Sequence, residues 1–125
     1  METKKRILVI EDDAVLVGVI TKKLEIAGFE SYVCGTGAEA IQYLKDTVAS
    51  PDAIWLDLYL PDTTGDEIMR NIQEHESWKD IPVVVVSNVS DGEKIEATLS
   101  LGATKYMLKS QYQLEEIIEH IKKIT

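Results

Sequence analysis

The chain has 125 residues, of which 45% are hydrophobic, so we expect one compact domain over residues 1–125 with no output domain. Its formal net charge of −9 argues against direct binding to nucleic acid or to an anionic membrane surface, because both need a basic patch. The first apolar run, at 7–10, is too short for a signal peptide or a membrane span, so we expect a cytoplasmic protein without membrane insertion.

Short apolar runs alternate with longer amphipathic stretches along the chain. Strands are predicted at 7–10, 32–34, 53–56, 81–86 and 106–108. Helices are predicted at 14–27, 38–47, 66–74, 93–101 and 114–124. Gly28 and Gly102 follow the first and fourth helices, where glycine commonly ends a helix. This βα alternation indicates an α/β fold with a doubly wound, five-stranded parallel sheet.

Several elements carry further signals. The fourth strand is β-branched throughout 83–86, as is typical of a strand covered on both faces. Thr36 and Glu39 have the spacing of a capping box at the start of the second helix. Cys34 is the one cysteine, which excludes an intramolecular disulfide and favours a buried structural thiol. The last helix carries its apolar residues on one face: Leu114, Ile117, Ile118, Ile121 and Ile124.

Polar side chains follow four of the predicted strands. They are Glu11, Asp12 and Asp13 after the first strand, Asp57 after the third, Ser87 after the fourth and Lys109 after the fifth. The carboxyl ends of parallel strands meet at one edge of a doubly wound sheet, and ligands bind at that edge. Any one of these residues is ordinary as a helix cap or turn former. Together they predict a functional site.

The chemistry of this set points to phosphoryl transfer. Two carboxylates about 4 Å apart repel by roughly 4 kcal/mol at an effective dielectric of 20, so converging acids need a cation. Mg²⁺ suits such a site because it takes one or two carboxylates and keeps waters and phosphate oxygens as further ligands. The ammonium of Lys109 and the hydroxyl of Ser87 would stabilise the other oxygens of a transferring phosphoryl group.

The same residues lie in segments that resemble the receiver domains of response regulators in bacterial two-component systems, the CheY-like family. The matching segments are 7–12 (ILVIED), 57–65 (DLYLPDTTG), 86–87 (VS) and 102–109 (GATKYMLK). The resemblance covers essentially the full length. It implies the flavodoxin-like (βα)5 fold with strand order 2-1-3-4-5, and a phosphorelay function.

The resemblance also implies a phosphoacceptor and a metal site. Asp57 would accept a phosphoryl group from a sensor histidine kinase or a phosphotransfer protein. Asp12, Asp57 and the backbone carbonyl of Tyr59 would ligate Mg²⁺, and Glu11 would hold a metal-bound water. The distance to the end of the first helix favours Glu11 with Asp12 as the acidic pair, which leaves Asp13 to cap that helix.

The resemblance also implies which residues respond to the phosphoryl group. Lys109 and Ser87 would contact the phosphoryl group, and Ser87 and Tyr106 would form the switch. The protein would then not be an enzyme acting on other substrates, because it catalyses only its own phosphorylation and dephosphorylation. A surface of the fourth helix, fifth strand and fifth helix would bind a downstream protein target, whose identity the sequence leaves open, as it does the kinase.

The chain departs from the family pattern at several positions. Ser110 replaces the proline that usually follows the site lysine, and a non-proline cis bond costs about 3 to 4 kcal/mol, so we expect a trans bond. Asn88 is larger than the usual residue, and Ser87 replaces the commoner threonine. Tyr59 and Val89 are bulkier than water-activating groups, which predicts a long-lived phosphorylated state.

Three other functions fit the residues less well. A haloacid dehalogenase phosphatase needs a second acid two residues after the nucleophile, where this chain has Tyr59. A flavodoxin-like flavin carrier needs a phosphate-binding loop after the first strand, where the acids 11–13 would repel phosphate. A pseudo-receiver, an interaction module that no longer switches, remains open, although the intact acids and Lys109 argue against it.

The histidines and tryptophans are not predicted to carry function. His75 and His120 lie in no recognisable phosphoacceptor motif, so both are expected to be surface residues. Trp55 is expected in the core because it lies in an apolar strand. Trp78 is expected to pack on the surface of a loop.

Overall fold

A computed structural model describes residues 4–125, which form five strands and five helices in strict alternation. The strands are β1 Arg6–Ile10, β2 Glu30–Cys34, β3 Ala53–Leu56, β4 Val83–Ser87 and β5 Lys105–Leu108. The helices are α1 Ala14–Ile26, α2 Gly37–Asp46, α3 Gly65–Glu74, α4 Gly92–Ser100 and α5 Leu114–Ile124. All four strand pairs are parallel and the order is β2-β1-β3-β4-β5, which confirms the predicted fold.

The core lies on both faces of the sheet because successive strand residues point to opposite sides. In β1, Leu8 and Ile10 belong to the cluster under α2 and α3, and Ile7 and Val9 belong to the cluster under α1 and α5. β3 and β4 are fully buried, as the β-branched run at 83–86 predicted. Because β3 and β4 pair in parallel, their carboxyl ends lie at the same edge of the sheet.

The predicted helix ends are largely confirmed. Gly28 and Gly102 follow α1 and α4 with φ of 95° and 106°, in the left-handed region that favours glycine. Asp13 caps α1, since its carboxylate accepts the N–H groups of two first-turn residues. Thr36 supplies one half of the predicted capping box by accepting the Glu39 N–H at 3.1 Å.

β4 begins two residues later than predicted. The sequence predicts a strand from 81, but the Ile81 N–H donates to the Trp78 carbonyl in a turn, and Pro82 has no N–H to give to a ladder. The strand also extends one residue further, because Ser87 pairs with Leu108 of β5. Ser87 is therefore the last residue of an interior strand.

The prediction that Trp78 packs on the surface is wrong. Its side chain is buried in the core cluster that includes the apolar residues of α3, and hydrogen bonds to His75 and from Ile81 hold its backbone in the turn after α3. His75 is exposed as expected and stacks on Trp78 with ring centroids 3.7 Å apart. His120 is half-buried instead of fully exposed, and burial followed by the charges of two nearby lysines lowers its pKa.

Trp55 and Cys34 lie in the core as predicted. Burial raises the pKa of the Cys34 thiol to about 11, so it stays protonated. Within residues 4–125, no helix has the length and apolar character that crossing a bilayer requires.

Helix α4 is held differently from the other helices. Thr98 is its one buried residue, and its hydroxyl donates to Asp66 of α3 at 3.2 Å. Lys94 forms an ion pair with the same carboxylate. A polar network, with little apolar burial, therefore fixes α4 beside α3.

Candidate functional site

Three carboxylates converge where β1 and β3 end. One oxygen from each of Glu11, Asp12 and Asp57 lies within 4.8 Å of the others. The Asp57 N–H donates to the Ile10 carbonyl at 3.0 Å, which brings the end of β3 against the end of β1. Asp13 is directed to the α1 cap instead, so the acids that meet Asp57 are the two favoured from the sequence.

Glu11 is the buried member of this group. Its Oε2 accepts the backbone N–H groups of Asp12 and Asp13, at 3.0 and 3.3 Å. Its Oε1 accepts a hydrogen bond from Lys109 at 3.0 Å. These partners compensate the burial of the charge and fix the orientation of the carboxylate.

Lys109 reaches the acids from the end of β5. Its ammonium lies 3.8 Å from Oδ2 of Asp57 as well as close to Glu11. Its backbone N–H donates to the Ser87 carbonyl at 2.9 Å, which anchors the lysine to the neighbouring strand. The bond to Ser110 is trans, as expected, because residues 4–125 contain no cis peptide.

The environment of Asp57 disfavours its charge. Burial, and then the negative charge of Glu11, raise the pKa of Asp57 to about 6, while Lys109 and the Tyr59 N–H oppose the rise. Three carboxylates face one ammonium, so the pocket has excess negative charge. All of its candidate ligand atoms are oxygens, which suits a hard divalent cation such as Mg²⁺.

Ser87 and Tyr106 meet at Val89. The buried Ser87 hydroxyl accepts the Val89 N–H at 3.1 Å, and the Tyr106 hydroxyl donates to the Val89 carbonyl at 2.7 Å. Burial is the main cause that raises the pKa of Tyr106. The sequence drew attention only to the bulk of Val89, whereas its backbone joins the two predicted switch residues.

Tyr59 and Asn88 lie at the rim with exposed side chains. Tyr59 follows Asp57 by two residues and is 57% exposed. Asp62, Asp66 and Lys94 were not singled out from the sequence, although each makes polar contacts between elements near the site. Asp62 directly follows Pro61 in the loop after Asp57, and an acid at a turn is the one signal that pointed to it.

The family comparison covers nearly the whole chain: residues 7–122 match the response regulator receiver domain. The chain belongs to this receiver family. The resemblance inferred from its strand-end motifs is thereby confirmed, and so is its place among two-component response regulators.

Known relatives differ from this receiver in length. The transcriptional regulatory protein PrrA of Mycobacterium tuberculosis is 32% identical over 120 residues, which are 96% of this chain and 49% of PrrA. The chain spans about half the length of the curated relatives it matches.

Solved receivers match over almost all of their length. The phosphorylated cyanobacterial phytochrome response regulator RcpA is 29% identical, with a TM-score of 0.83, over 98% of this chain and 91% of RcpA. The Mn²⁺-bound form of response regulator Rcp1 is 26% identical, with a TM-score of 0.81, over 96% of this chain and 91% of Rcp1.

Proposed function

We propose that this receiver accepts a phosphoryl group on Asp57 from the phosphohistidine of a sensor kinase or phosphotransfer protein, with Mg²⁺ bound. The observation that carries the proposal is the convergence of Asp57 with two further acids and Lys109 at one strand edge. The solved structures of a phosphorylated relative and of a Mn²⁺-bound relative support it.

Asp57 acts as the nucleophile. A carboxylate oxygen attacks the phosphorus in line, the new O–P bond forms as the P–N bond to the donor imidazole breaks, and the imidazole leaves with the bonding electron pair. The attacking form is the ionised one. Lys109 at 3.8 Å favours that form, whereas burial and Glu11 oppose it.

Asp12, Asp57 and the Tyr59 backbone carbonyl would hold Mg²⁺, with Glu11 binding one of its waters. When bound, the ion neutralises the clustered carboxylates and the charge on the phosphoryl oxygens. Ser87 is the last residue of β4 and Lys109 directly follows β5, so their donors would bind the remaining phosphoryl oxygens.

The signal would pass to a protein target through residues 88–91 between β4 and α4, which we call the Val89 loop. A phosphoryl group on Asp57 would draw the Ser87 hydroxyl toward it, and Ser87 bonds to the Val89 N–H. Tyr106 holds the carbonyl of the same residue, so movement of this loop changes the surface formed by α4, β5 and α5. The hydrogen bond from the Tyr106 hydroxyl to the Val89 carbonyl would hold the Tyr106 ring turned toward this loop.

The net charge bears on the wider role. We propose that this receiver is cytoplasmic, that its only reaction is its own phosphorylation and dephosphorylation, and that at a net charge of −9 it does not bind nucleic acid directly. PrrA is by its name a transcriptional regulator, and about half of its length has no counterpart in this chain.

Intact mass after treatment with acetyl phosphate tests the proposal. Wild type should gain one phosphoryl group only when Mg²⁺ is present, and Asp57→Ala should gain none. Asp13→Asn is the matched control, because it changes a neighbouring acid that caps α1 and keeps a capping oxygen. Phosphorylation of Asp57→Ala at the wild-type rate would refute the acceptor, and an unmodified wild type would favour the pseudo-receiver.

A further inference from the structure

The loop between β3 and α3 is a small folded unit. The Leu60 N–H donates to the Thr63 carbonyl at 3.1 Å, and Tyr59 bridges Thr64 in antiparallel fashion. The Gly65 N–H donates to the Leu58 carbonyl at 2.6 Å. These contacts link the tip of the loop to Tyr59, two residues after Asp57.

Asp62, at the tip, is bound to a different element. Its two carboxylate oxygens accept the N–H groups of Gly37 and Ala38, the first residues of α2, at 2.8 and 2.9 Å. These two backbone donors lower the pKa of Asp62, so the carboxylate is ionised at neutral pH. Helix α2 thus has a second acceptor besides its own cap, Thr36.

A close contact accompanies these hydrogen bonds. A Cβ added to Gly37 would lie 2.3 Å from Cγ2 of Thr63, so the loop tip rests against the start of α2 at a distance that only glycine permits. Two neighbouring loop residues therefore fix the tip independently, one by charge-assisted hydrogen bonds and one by packing.

We propose that Asp62 is a positioning residue for the metal site, because it ties the loop that carries Tyr59 to the start of α2. The proposal rests on the proposed function, in which the Tyr59 carbonyl is a ligand of Mg²⁺. Asp62 touches neither the metal nor the phosphoryl group. It acts by limiting the positions that the Tyr59 backbone can take relative to Asp57.

Calorimetric titration of the full chain with Mg²⁺ tests this role. Asp62→Ala should raise the dissociation constant for Mg²⁺ on the order of tenfold, as loss of an outer partner of a metal ligand commonly does. Thr36→Ala is the matched control, since it removes an acceptor from the same helix terminus without touching the loop. It should lower the melting temperature and leave the dissociation constant unchanged.

Phosphorylation by acetyl phosphate supplies a second readout. If Asp62 acts through metal affinity, the slower rate of Asp62→Ala should return to the wild-type value at saturating Mg²⁺. Asp62→Asn keeps one of the two acceptor oxygens, so its dissociation constant should lie between those of wild type and Asp62→Ala. This variant also serves if Asp62→Ala does not fold.

Equal dissociation constants for wild type and the Asp62 variants, or equal weakening by Thr36→Ala, would overturn the positioning role and leave the proposed function intact. A rate that stays low at saturating Mg²⁺ would overturn it as well. A wild type that binds no Mg²⁺ would remove both proposals together.

Discussion

Lys109 is hydrogen-bonded to Glu11, 98 residues earlier in the chain, with 3.0 Å between Nζ and Oε1. The Glu11 side chain is 1% exposed and that of Lys109 is 22% exposed, so this is a largely buried ion pair. The ammonium also lies 3.8 Å from Asp57, which is the longer of its two contacts with carboxylates. Lys109 therefore stabilises the acid pocket as well as facing the proposed phosphoacceptor.

Removal of the Lys109 charge should destabilise the fold. Lys109→Met leaves the Glu11 carboxylate buried without its cation, which we expect to cost about 3 kcal/mol in urea unfolding without Mg²⁺. The double variant Lys109→Met/Glu11→Gln should recover part of that loss, because the uncompensated charge is gone. Strictly additive effects of the two substitutions would show that the pair is not coupled.

The stability contributed by Asp57 should depend on pH. The ordinary pKa of 3.8 is raised to about 6 in the folded protein, so the folded state retains a proton that the unfolded chain releases in this range. The free energy of unfolding therefore falls as pH rises from 3.8 to 6, and ionised Asp57 destabilises the fold above 6. Asp57→Asn should raise the melting temperature above pH 6 and have little effect below 3.8.

Mg²⁺ should reverse this effect in wild type. A concentration about 100 times the dissociation constant should stabilise the fold by roughly 2.7 kcal/mol above pH 6 and by progressively less at lower pH, where Asp57 is protonated. Thermal melts of wild type and Asp57→Asn with and without Mg²⁺ measure both effects. A wild-type melting temperature that does not respond to Mg²⁺ would contradict the site.

Tyr106→Phe should uncouple the Val89 loop from β5. It removes the 2.7 Å hydrogen bond to the Val89 carbonyl and keeps the ring, at a cost of about 1 kcal/mol. The variant should still be phosphorylated on Asp57, because Ser87 and Lys109 are unchanged. Hydrogen exchange over residues 87–101 should respond less to phosphorylation than in wild type, and an equal response would argue against Tyr106 as a switch residue.

The phosphorylated state should be long-lived. Tyr59 is 57% exposed and Val89 packs partly against the core. Neither side chain has a carboxylate or amide that could position a hydrolytic water. Tyr59→Asn/Val89→Glu should lose its label at least about tenfold faster after the donor is removed. Tyr59→Phe, which adds no polar group to the rim, should match wild type, and equal rates for all three proteins would refute this explanation.

Helix α4 should loosen when its polar network is cut. Lys94→Met leaves the buried Asp66 carboxylate without its ion-pair partner, which should destabilise the protein by about 1 to 3 kcal/mol and speed hydrogen exchange in α4. Lys122→Met is the control. Lys122 pairs with Glu119 at 3.6 Å on an exposed face, where loss of a pair costs about 1 kcal/mol or less. Similar losses for both variants would contradict the structural role of the network.

The sequence by itself determined the architecture and which polar residues meet at one edge of the sheet. Hydrophobic periodicity is a local signal, and it placed β3 and α5 at their observed bounds because each buries a face that its own residues define. Parallel strands bring their carboxyl ends to one edge whatever the details of packing. The convergence of Asp12, Asp57 and Lys109 at one edge therefore followed from their places after strands.

Only the tertiary structure decided which groups are partners. Lys109 pairs with Glu11, which lies 98 residues earlier in the chain. Asp62 caps a helix that starts 25 residues before it, and the Trp78 side chain enters the core from a polar loop. These contacts depend on loop paths and side-chain rotamers, which leave no periodic trace in the sequence. Their energies arise when distant elements pack together, so the residue types at the site could be predicted from the sequence, whereas its hydrogen bonds and pKa shifts could not.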